Sequence, residues 1–145
     1  MEENLNEINL FQDINEFFDL KPQDVRMISP LTFAYIGDCI YDLVIRTIVV
    51  GKGNTSVNSL HKKTCSMVKA SGQKDAFAKI EGILTEEEMD IFKRGRNAKS
   101  YTSAKNASKA DYHVATGYEA LIGYLYMTGR MSRVLELIKI GLDEA

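Results

Sequence analysis

Tryptophan is absent from this sequence, and proline, cysteine and histidine each occur only twice. Pro22 and Pro30 lie near the start of the chain, which leaves the rest free to form long helices, because proline breaks helix interiors. Cys39 and Cys65 form no CxxC motif. Without a secretory signal, two scattered cysteines predict free, buried thiols in a reducing cytosol. The pattern argues against a disulfide-stabilised scaffold.

A membrane span is also disfavoured. Residues 31–50 are long enough to be mistaken for one, but they contain Asp38, Asp42 and Arg46, and each of these is costly in lipid. The acidic N-terminus lacks the basic-then-apolar pattern of a secretory signal. We therefore expect a cytoplasmic protein that does not associate with membranes, with a buried helix at residues 31–50.

Acidic residues are missing from residues 93–109, which contain six lysines and arginines. The chain as a whole has a formal net charge of −2, so this basic segment lies on an acidic body and favours a local anion-binding surface. Such side chains contact phosphates and 2′-hydroxyls of RNA without reading its sequence. The alternative is a solvated loop. The candidate RNA-binding residues here are Arg94, Arg96, Asn97, Lys99, Lys105 and Lys109. Lys62 and Lys63 could extend the surface, or simply form the solvated face of a helix.

Apolar residues recur at helical spacing along most of the chain, and no segment alternates with the period of a strand. Ser29 before proline is a typical helix start, and Thr85 with Glu88 forms a capping box. Residues 95–109 are interpreted as a long functional loop. The predicted fold is all-α with five to seven helices. We predict helices over residues 6–18, 30–50, 55–71, 73–80, 85–93, 111–128 and 131–142.

Two carboxylates occupy helices that are too apolar to lie on the surface, Asp38 in the helix at residues 30–50 and Glu119 in the helix at residues 111–128. A buried ionised carboxylate needs a base, several N–H donors or a metal. One divalent cation bound by both acids would meet this need and supply the Lewis acid of phosphodiester chemistry. The alternative is that each acid is a structural hydrogen-bond acceptor, or pairs with Arg46 or a lysine.

Gly37 and Gly123 lie in the middle of the same two helices. Glycine weakens a helix interior and is tolerated where another backbone or a ligand comes close. Their presence therefore favours a site between the two helices. Asp42, one turn after Asp38, could join a metal site through water, but it is interpreted as a structural or solvent-facing acid.

Two motifs resemble the ribonuclease III family. Residues 31–43, LTFAYIGDCIYDL, are similar to its signature helix, and residues 115–126, ATGYEALIGYLY, to its second acidic motif. The basic stretches KRGRNAKS and SAKNAS between them resemble the Mini-ribonuclease III branch, a catalytic domain without a separate double-stranded-RNA-binding domain. The resemblance covers residues 29–142. It implies one catalytic domain at residues 21–145, after a variable N-terminal helix at residues 1–20.

The resemblance further implies a ribonuclease III endonuclease-domain-like helical fold and a homodimer that cleaves double-stranded RNA. Asp38 falls on the family's essential signature aspartate and Glu119 on the essential glutamate of the second motif. Both are thereby implied to be catalytic and to bind Mg²⁺, with Mn²⁺ as a substitute. Tyr35 falls on the aromatic position used for dimer contact. The implied substrate is a ribosomal-RNA precursor stem (23S), with a ribosomal protein as a helper.

The acids are fewer than in larger members of the family. Those enzymes have two glutamates upstream of the aspartate, where this sequence has Leu31 and Ala34, and an aspartate where it has Thr116. The reduced set supports one metal better than two. It also leaves open a non-catalytic RNA-binding or ribosome-assembly protein that retained the fold, or a helical interaction module in which both acids are structural.

Overall fold

The computed structural model describes residues 9–99 and 108–143. Within these ranges the chain forms seven α-helices and no strand. Short 3₁₀ turns, Val25–Met27 and Glu81–Ile83, lie between helices. The prediction of an all-α fold is therefore confirmed. In chain order the helices are α1 Leu10–Phe17, α2 Pro30–Lys52, α3 Val57–Val68, α4 Ala70–Ile80, α5 Glu86–Asn97, α6 Lys109–Met127 and α7 Met131–Gly141.

Hydroxyl side chains cap the N-termini of several of these helices. Ser29 Oγ accepts a hydrogen bond from the Thr32 amide at 3.2 Å and starts α2. In the capping box of α5, Thr85 Oγ1 accepts from the Glu88 amide, and Glu88 Oε1 accepts from the Thr85 amide at 2.9 Å. Both predicted helix starts are confirmed. The cap of α3 is Ser56 and the helix begins at Val57, two residues after the predicted start at residue 55.

Helix α6 lies at the centre of the fold. Its side chains Tyr118, Leu121, Ile122 and Leu125 have no exposed surface. Helices α2, α5 and α4 pack around it, and α7 closes the remaining side against α4. Ten of its residues are buried, so the second acidic motif lies in a helix whose burial contributes strongly to the stability of the described part of the chain.

Two glycines mark the crossing of α2 and α6. A Cβ at Gly37 would lie 1.8 Å from the backbone oxygen of Glu119, and one at Gly123 would lie 1.9 Å from that of Phe33. Only glycine leaves room for such an approach. The close contact that the sequence predicted is thus made by helix backbone, and it sets the separation between the two acidic motifs.

The predicted end of α5 is wrong. The helix continues to Asn97, so Arg94, Arg96 and Asn97 belong to its last turn and not to a loop. Gly95 does not end it, because it packs against α6: a Cβ there would lie 2.7 Å from that of Ala120. Tertiary packing overrides the weak local helix propensity of this stretch.

The cysteines also differ from the prediction, since Cys39 and Cys65 are both free and exposed. Helix α2 is apolar on more sides than the domain covers, so an apolar sequence around Cys39 did not ensure its burial. None of the described helices is both long and apolar enough to cross a membrane.

Candidate active site

The two candidate acids lie beside each other, Asp38 on α2 and Glu119 on α6. They are near enough for the charge of Asp38 and a side-chain hydrogen bond with it to raise the pKa of Glu119. The close crossing at Gly37 explains this proximity, because the glycine precedes Asp38 and contacts the Glu119 backbone. The fold therefore joins two acids that are far apart in sequence.

The two carboxylates differ in exposure. Glu119 is half-buried, but Asp38 is exposed, so the predicted burial of Asp38 is wrong. Helix α2 packs through a stripe that includes Ala34, Gly37 and Tyr41, and Asp38 lies at the open edge of that stripe. Burial is the main cause that raises the pKa of Glu119 to about 8; a hydrogen bond from Gln73 opposes the shift, and Asp38 adds to it.

Gln73, the fourth residue of α4, is a site residue that sequence reasoning missed. Its Nε2 donates to Glu119 Oε2 at 2.9 Å and to the Val68 carbonyl oxygen at 2.8 Å. The side chain is only 2% exposed. A signal was available, because Gln73 lies three and four residues before the buried Ala76 and Phe77. It is a polar residue at an apolar position of the helix, as Glu119 is on α6.

Arg46 does not serve as the partner of the acid pair. Its Nε donates to Asp42 Oδ2 at 2.8 Å in a partly exposed ion pair, which agrees with the interpretation of Asp42 as a solvent-facing acid. Glu119 instead accepts a hydrogen bond from the neutral side-chain amide of Gln73. No group of three or more histidine, cysteine or acidic residues suited to a metal occurs among the described residues. The candidate donor set is thus the pair Asp38 and Glu119.

Two tyrosines lie beneath Glu119. The rings of Tyr41 and Tyr118 are 5.3 Å apart in an edge-on contact. Burial raises the pKa of Tyr41 to about 12, and the charge of Glu119 adds to the shift. Burial also raises the pKa of Tyr118. Both hydroxyls are therefore neutral at physiological pH, and they add no further negative charge to the acid pair.

Part of the predicted basic surface comes together in a groove of about 730 Å³ between the end of α5 and the start of α6. Its lining includes the predicted residues Arg96, Asn97, Lys99 and Lys109, together with His113. Lys109 is the first residue of α6 and not part of a loop. This groove-lining set defines what we call the basic groove.

The other predicted RNA contacts are placed differently. Arg94 is exposed on α5, outside the lining described for the basic groove. Lys62 and Lys63 are exposed on α3. Lys105 lies outside the described residues. Tyr35, the predicted dimer contact, is 83% exposed on α2.

The all-α fold with an acid pair at a helix crossing agrees with the outcome of a comparison with known families. Residues 31–130 match the family described as "Ribonuclease III domain". The chain therefore belongs to the ribonuclease III family, and it is an endoribonuclease of that class.

Comparison with individual proteins indicates the branch of the ribonuclease III family. A protein named Mini-ribonuclease 3 from Clostridium tetani is 50% identical over 122 residues, 83% of this chain and 81% of its own length. One of the same name from a Thermoanaerobacter species is 44% identical and covers 86% of this chain and 87% of itself. A crystal structure of a Fusobacterium nucleatum protein superposes with a TM-score of 0.76 at 30% identity, covering 84% of this chain and 98% of its own. The resemblance to Mini-ribonuclease III is confirmed.

Proposed function

We propose that this protein is a metal-dependent endoribonuclease that hydrolyses phosphodiester bonds in double-stranded RNA. The observation that carries the proposal is the contact between Asp38 and half-buried Glu119, where burial and mutual repulsion raise the pKa of Glu119. A divalent cation would relieve both effects, because it prefers carboxylate oxygens and favours their ionised form. The chemistry of the donor set therefore suits a metal.

Asp38 and Glu119 are the residues that would hold Mg²⁺, with Mn²⁺ as a substitute. When bound, such an ion supplies a Lewis acid for the phosphoryl oxygens and lowers the pKa of a water molecule. The chain's own contribution is to keep the two carboxylates together at the crossing of α2 and α6, with one exposed to substrate and the other anchored in the core. Two carboxylates favour one ion per site.

The basic groove supplies the proposed contact with RNA. Arg96, Lys99 and Lys109 present cations and Asn97 an amide, and these types bind the phosphate backbone and 2′-hydroxyls without reading bases. Arg94, Lys62, Lys63 and, on sequence alone, Lys105 would extend the contact.

A homodimer is the proposed assembly. Helix α2 leaves Tyr35, Leu43 and Val50 more than half exposed, and Cys39 lies exposed between the first two. Tyr35, Cys39 and Leu43 follow one another at a spacing of four, so they form one stripe of the helix. A second copy with the same stripe would cover it in a symmetric contact that includes Tyr35. Each subunit would then cut one strand.

The finer assignment rests on the resemblance of the motifs. It comprises a 23S ribosomal-RNA precursor stem as substrate, a ribosomal protein that helps to present it, and a cytoplasmic location. The domain bounds, with a catalytic domain at residues 21–145 after a variable segment at residues 1–20, remain part of the proposal.

The deciding experiment incubates an end-labelled RNA duplex with the protein in Mg²⁺, in Mn²⁺ and in EDTA. The proposal expects cleavage with either metal, none in EDTA, and 5′-phosphate and 3′-hydroxyl ends. Binding of the duplex without cleavage under any of these conditions would instead indicate an RNA-binding or ribosome-assembly protein, the alternative that the small acid set leaves open.

A further inference from the structure

We propose that Gln73 is a positioning residue that holds the Glu119 carboxylate in the orientation needed for metal binding. The inference rests on the proposed function. It goes beyond the acid pair, because Gln73 comes from a third helix, α4, and reaches Glu119 through a hydrogen bond of 2.9 Å. Its side chain is 2% exposed, so it acts from beneath the site and not by contact with RNA.

The orientation of the Gln73 amide is determined by its neighbours. Nε2 faces two acceptors, Glu119 Oε2 and the Val68 carbonyl oxygen, at 2.9 and 2.8 Å. Turning the amide over would place Oε1 against both oxygens, which is repulsive. The Val68 contact also ties the amide to the junction of α3 and α4, where a Cβ at Gly72 would lie 2.5 Å from the Ser66 carbonyl oxygen. The donor is thus anchored to tightly packed backbone.

This arrangement has a cost for folding. Gln73 Oε1 is buried and accepts no hydrogen bond from the described part of the chain, and a buried unsatisfied acceptor is destabilising. The residues that follow it on the buried side of α4, Ala76, Phe77 and Ile80, are apolar. An apolar side chain at position 73 would pack among them without that cost. The position therefore fits a role that requires the Nε2 donor.

The role follows from what the hydrogen bond does to Glu119. It occupies Oε2 and restricts rotation of the carboxylate, which leaves Oε1 for a cation. Partners that orient a metal-binding carboxylate typically contribute 10–100-fold to metal affinity. Without Gln73, Glu119 would keep its position on α6 but lose its fixed orientation.

The test compares Gln73→Met, an apolar side chain of similar length, with Phe77→Leu, a core change one turn further along α4. Four quantities are measured on the full chain: Mn²⁺ affinity by calorimetry, the melting temperature in EDTA, and kcat and KM for cleavage of an RNA duplex. We expect Gln73→Met to bind Mn²⁺ about 10–100-fold more weakly. Its kcat should fall at low metal and recover in part at high metal, with KM for RNA unchanged. Its melting temperature in EDTA should equal or exceed that of wild type, because the unsatisfied Gln73 Oε1 is removed. Phe77→Leu should lower the melting temperature and leave Mn²⁺ affinity within about twofold of wild type.

If the wild-type protein is active and Gln73→Met has the same Mn²⁺ affinity and kcat, the positioning role is overturned and the proposed function is left intact. A parent that neither binds Mn²⁺ nor cleaves duplex RNA would overturn both. If Gln73→Met does not fold, Gln73→Asn provides the same comparison, because it keeps a polar amide but draws it back from Glu119 by one methylene. We expect the same loss of Mn²⁺ affinity, and wild-type affinity would again overturn the role.

Discussion

The Gln73 amide and the Glu119 carboxylate form a partly buried hydrogen bond of 2.9 Å between α4 and α6. Glu119, the more buried of the two site acids, thus accepts a hydrogen bond from a neutral amide. A basic side chain in the same place would have cancelled the charge of the carboxylate. The carboxyl group of Glu119 is therefore not neutralised by a basic side chain, so a divalent cation would meet no competing positive charge from Gln73. The same lack of a cationic partner makes Glu119 sensitive to pH and to substitution.

Replacement of either acid should abolish cleavage. Asp38→Asn and Glu119→Gln each remove a carboxylate oxygen that would bind the metal. Loss of a residue that only orients a metal ligand costs up to about 100-fold, so we expect loss of a ligand itself to lower the cleavage rate by more than that. Asp42→Asn is the matched control on α2, because Asp42 pairs with Arg46 on the surface, and it should cleave at nearly the wild-type rate. Rates are measured at saturating Mg²⁺ together with circular dichroism. Near wild-type activity in either variant would show that the residue is not a ligand.

The same Glu119→Gln variant should be more stable than wild type at high pH in EDTA. The folded pKa of Glu119 is raised from 4.5 to about 8, so folding favours the protonated form. Its stabilising effect is fully present below pH 4.5 and is lost as pH rises toward 8. The glutamine in the variant does not titrate, so the variant does not lose stability in this way. At pH 8 to 9 its free energy of unfolding should exceed that of wild type by an amount on the order of 1 kcal/mol, which corresponds to a melting temperature several degrees higher. The two should agree near pH 4, and a constant difference across this range would contradict the assignment.

Loss of cations from the basic groove should weaken RNA binding uniformly. Arg96→Ala combined with Lys109→Ala removes two phosphate contacts, and each should reduce the salt slope of binding by somewhat under one unit. Duplexes of different sequence should be affected alike, because backbone contacts carry little sequence information. The control is the double variant Lys79→Ala with Lys139→Ala. It removes the same amount of positive charge, but from the last turns of α4 and α7. Equal slopes for the two double variants would place the RNA surface elsewhere, first at Lys62 and Lys63.

Tyr35→Glu should convert a dimer into a monomer in sedimentation at micromolar concentration. The substitution places a charge in the proposed symmetric contact, where it would face its own copy. Phe17→Glu is the control, because Phe17 is 86% exposed on α1 and away from the α2 stripe. A wild-type protein that is monomeric and fully active would refute the proposed assembly.

Gly123→Ala should be strongly destabilising, since its Cβ would lie 1.9 Å from the Phe33 carbonyl oxygen. Overpacking of this kind typically costs about 1–3 kcal/mol or more. Gly51→Ala adds the same methyl group to α2 where nothing lies within 4 Å, and it should be neutral or stabilise by about 0.5–1 kcal/mol. Urea unfolding of both variants measures the difference. Similar unfolding midpoints would mean that the two helices can separate without loss of stability.

Local signals in the sequence determined much of the fold. Ser29, Thr85 and Glu88 cap helices where their side chains reach the backbone amides within a few residues, so their effect is readable from spacing alone. Glu119 could be recognised because an acid in an apolar helix is costly without a partner. The same pattern singled out Asp38, although the structure leaves that side chain exposed. Mid-helix glycine likewise predicted a close approach at Gly37 and Gly123.

Tertiary structure decided what those signals could not. The fold carries α5 through Gly95, because packing against α6 outweighs local propensity, and this places Arg96 and Asn97 on a helix. It leaves Asp38 exposed and Glu119 half-buried, since burial depends on which edge of α2 the neighbouring helix covers. It also brings Gln73 to Glu119, a contact between residues that no local spacing relates. Sequence by itself determined which side chains were costly to bury, and only the packing of helices against α6 decided which of them would meet.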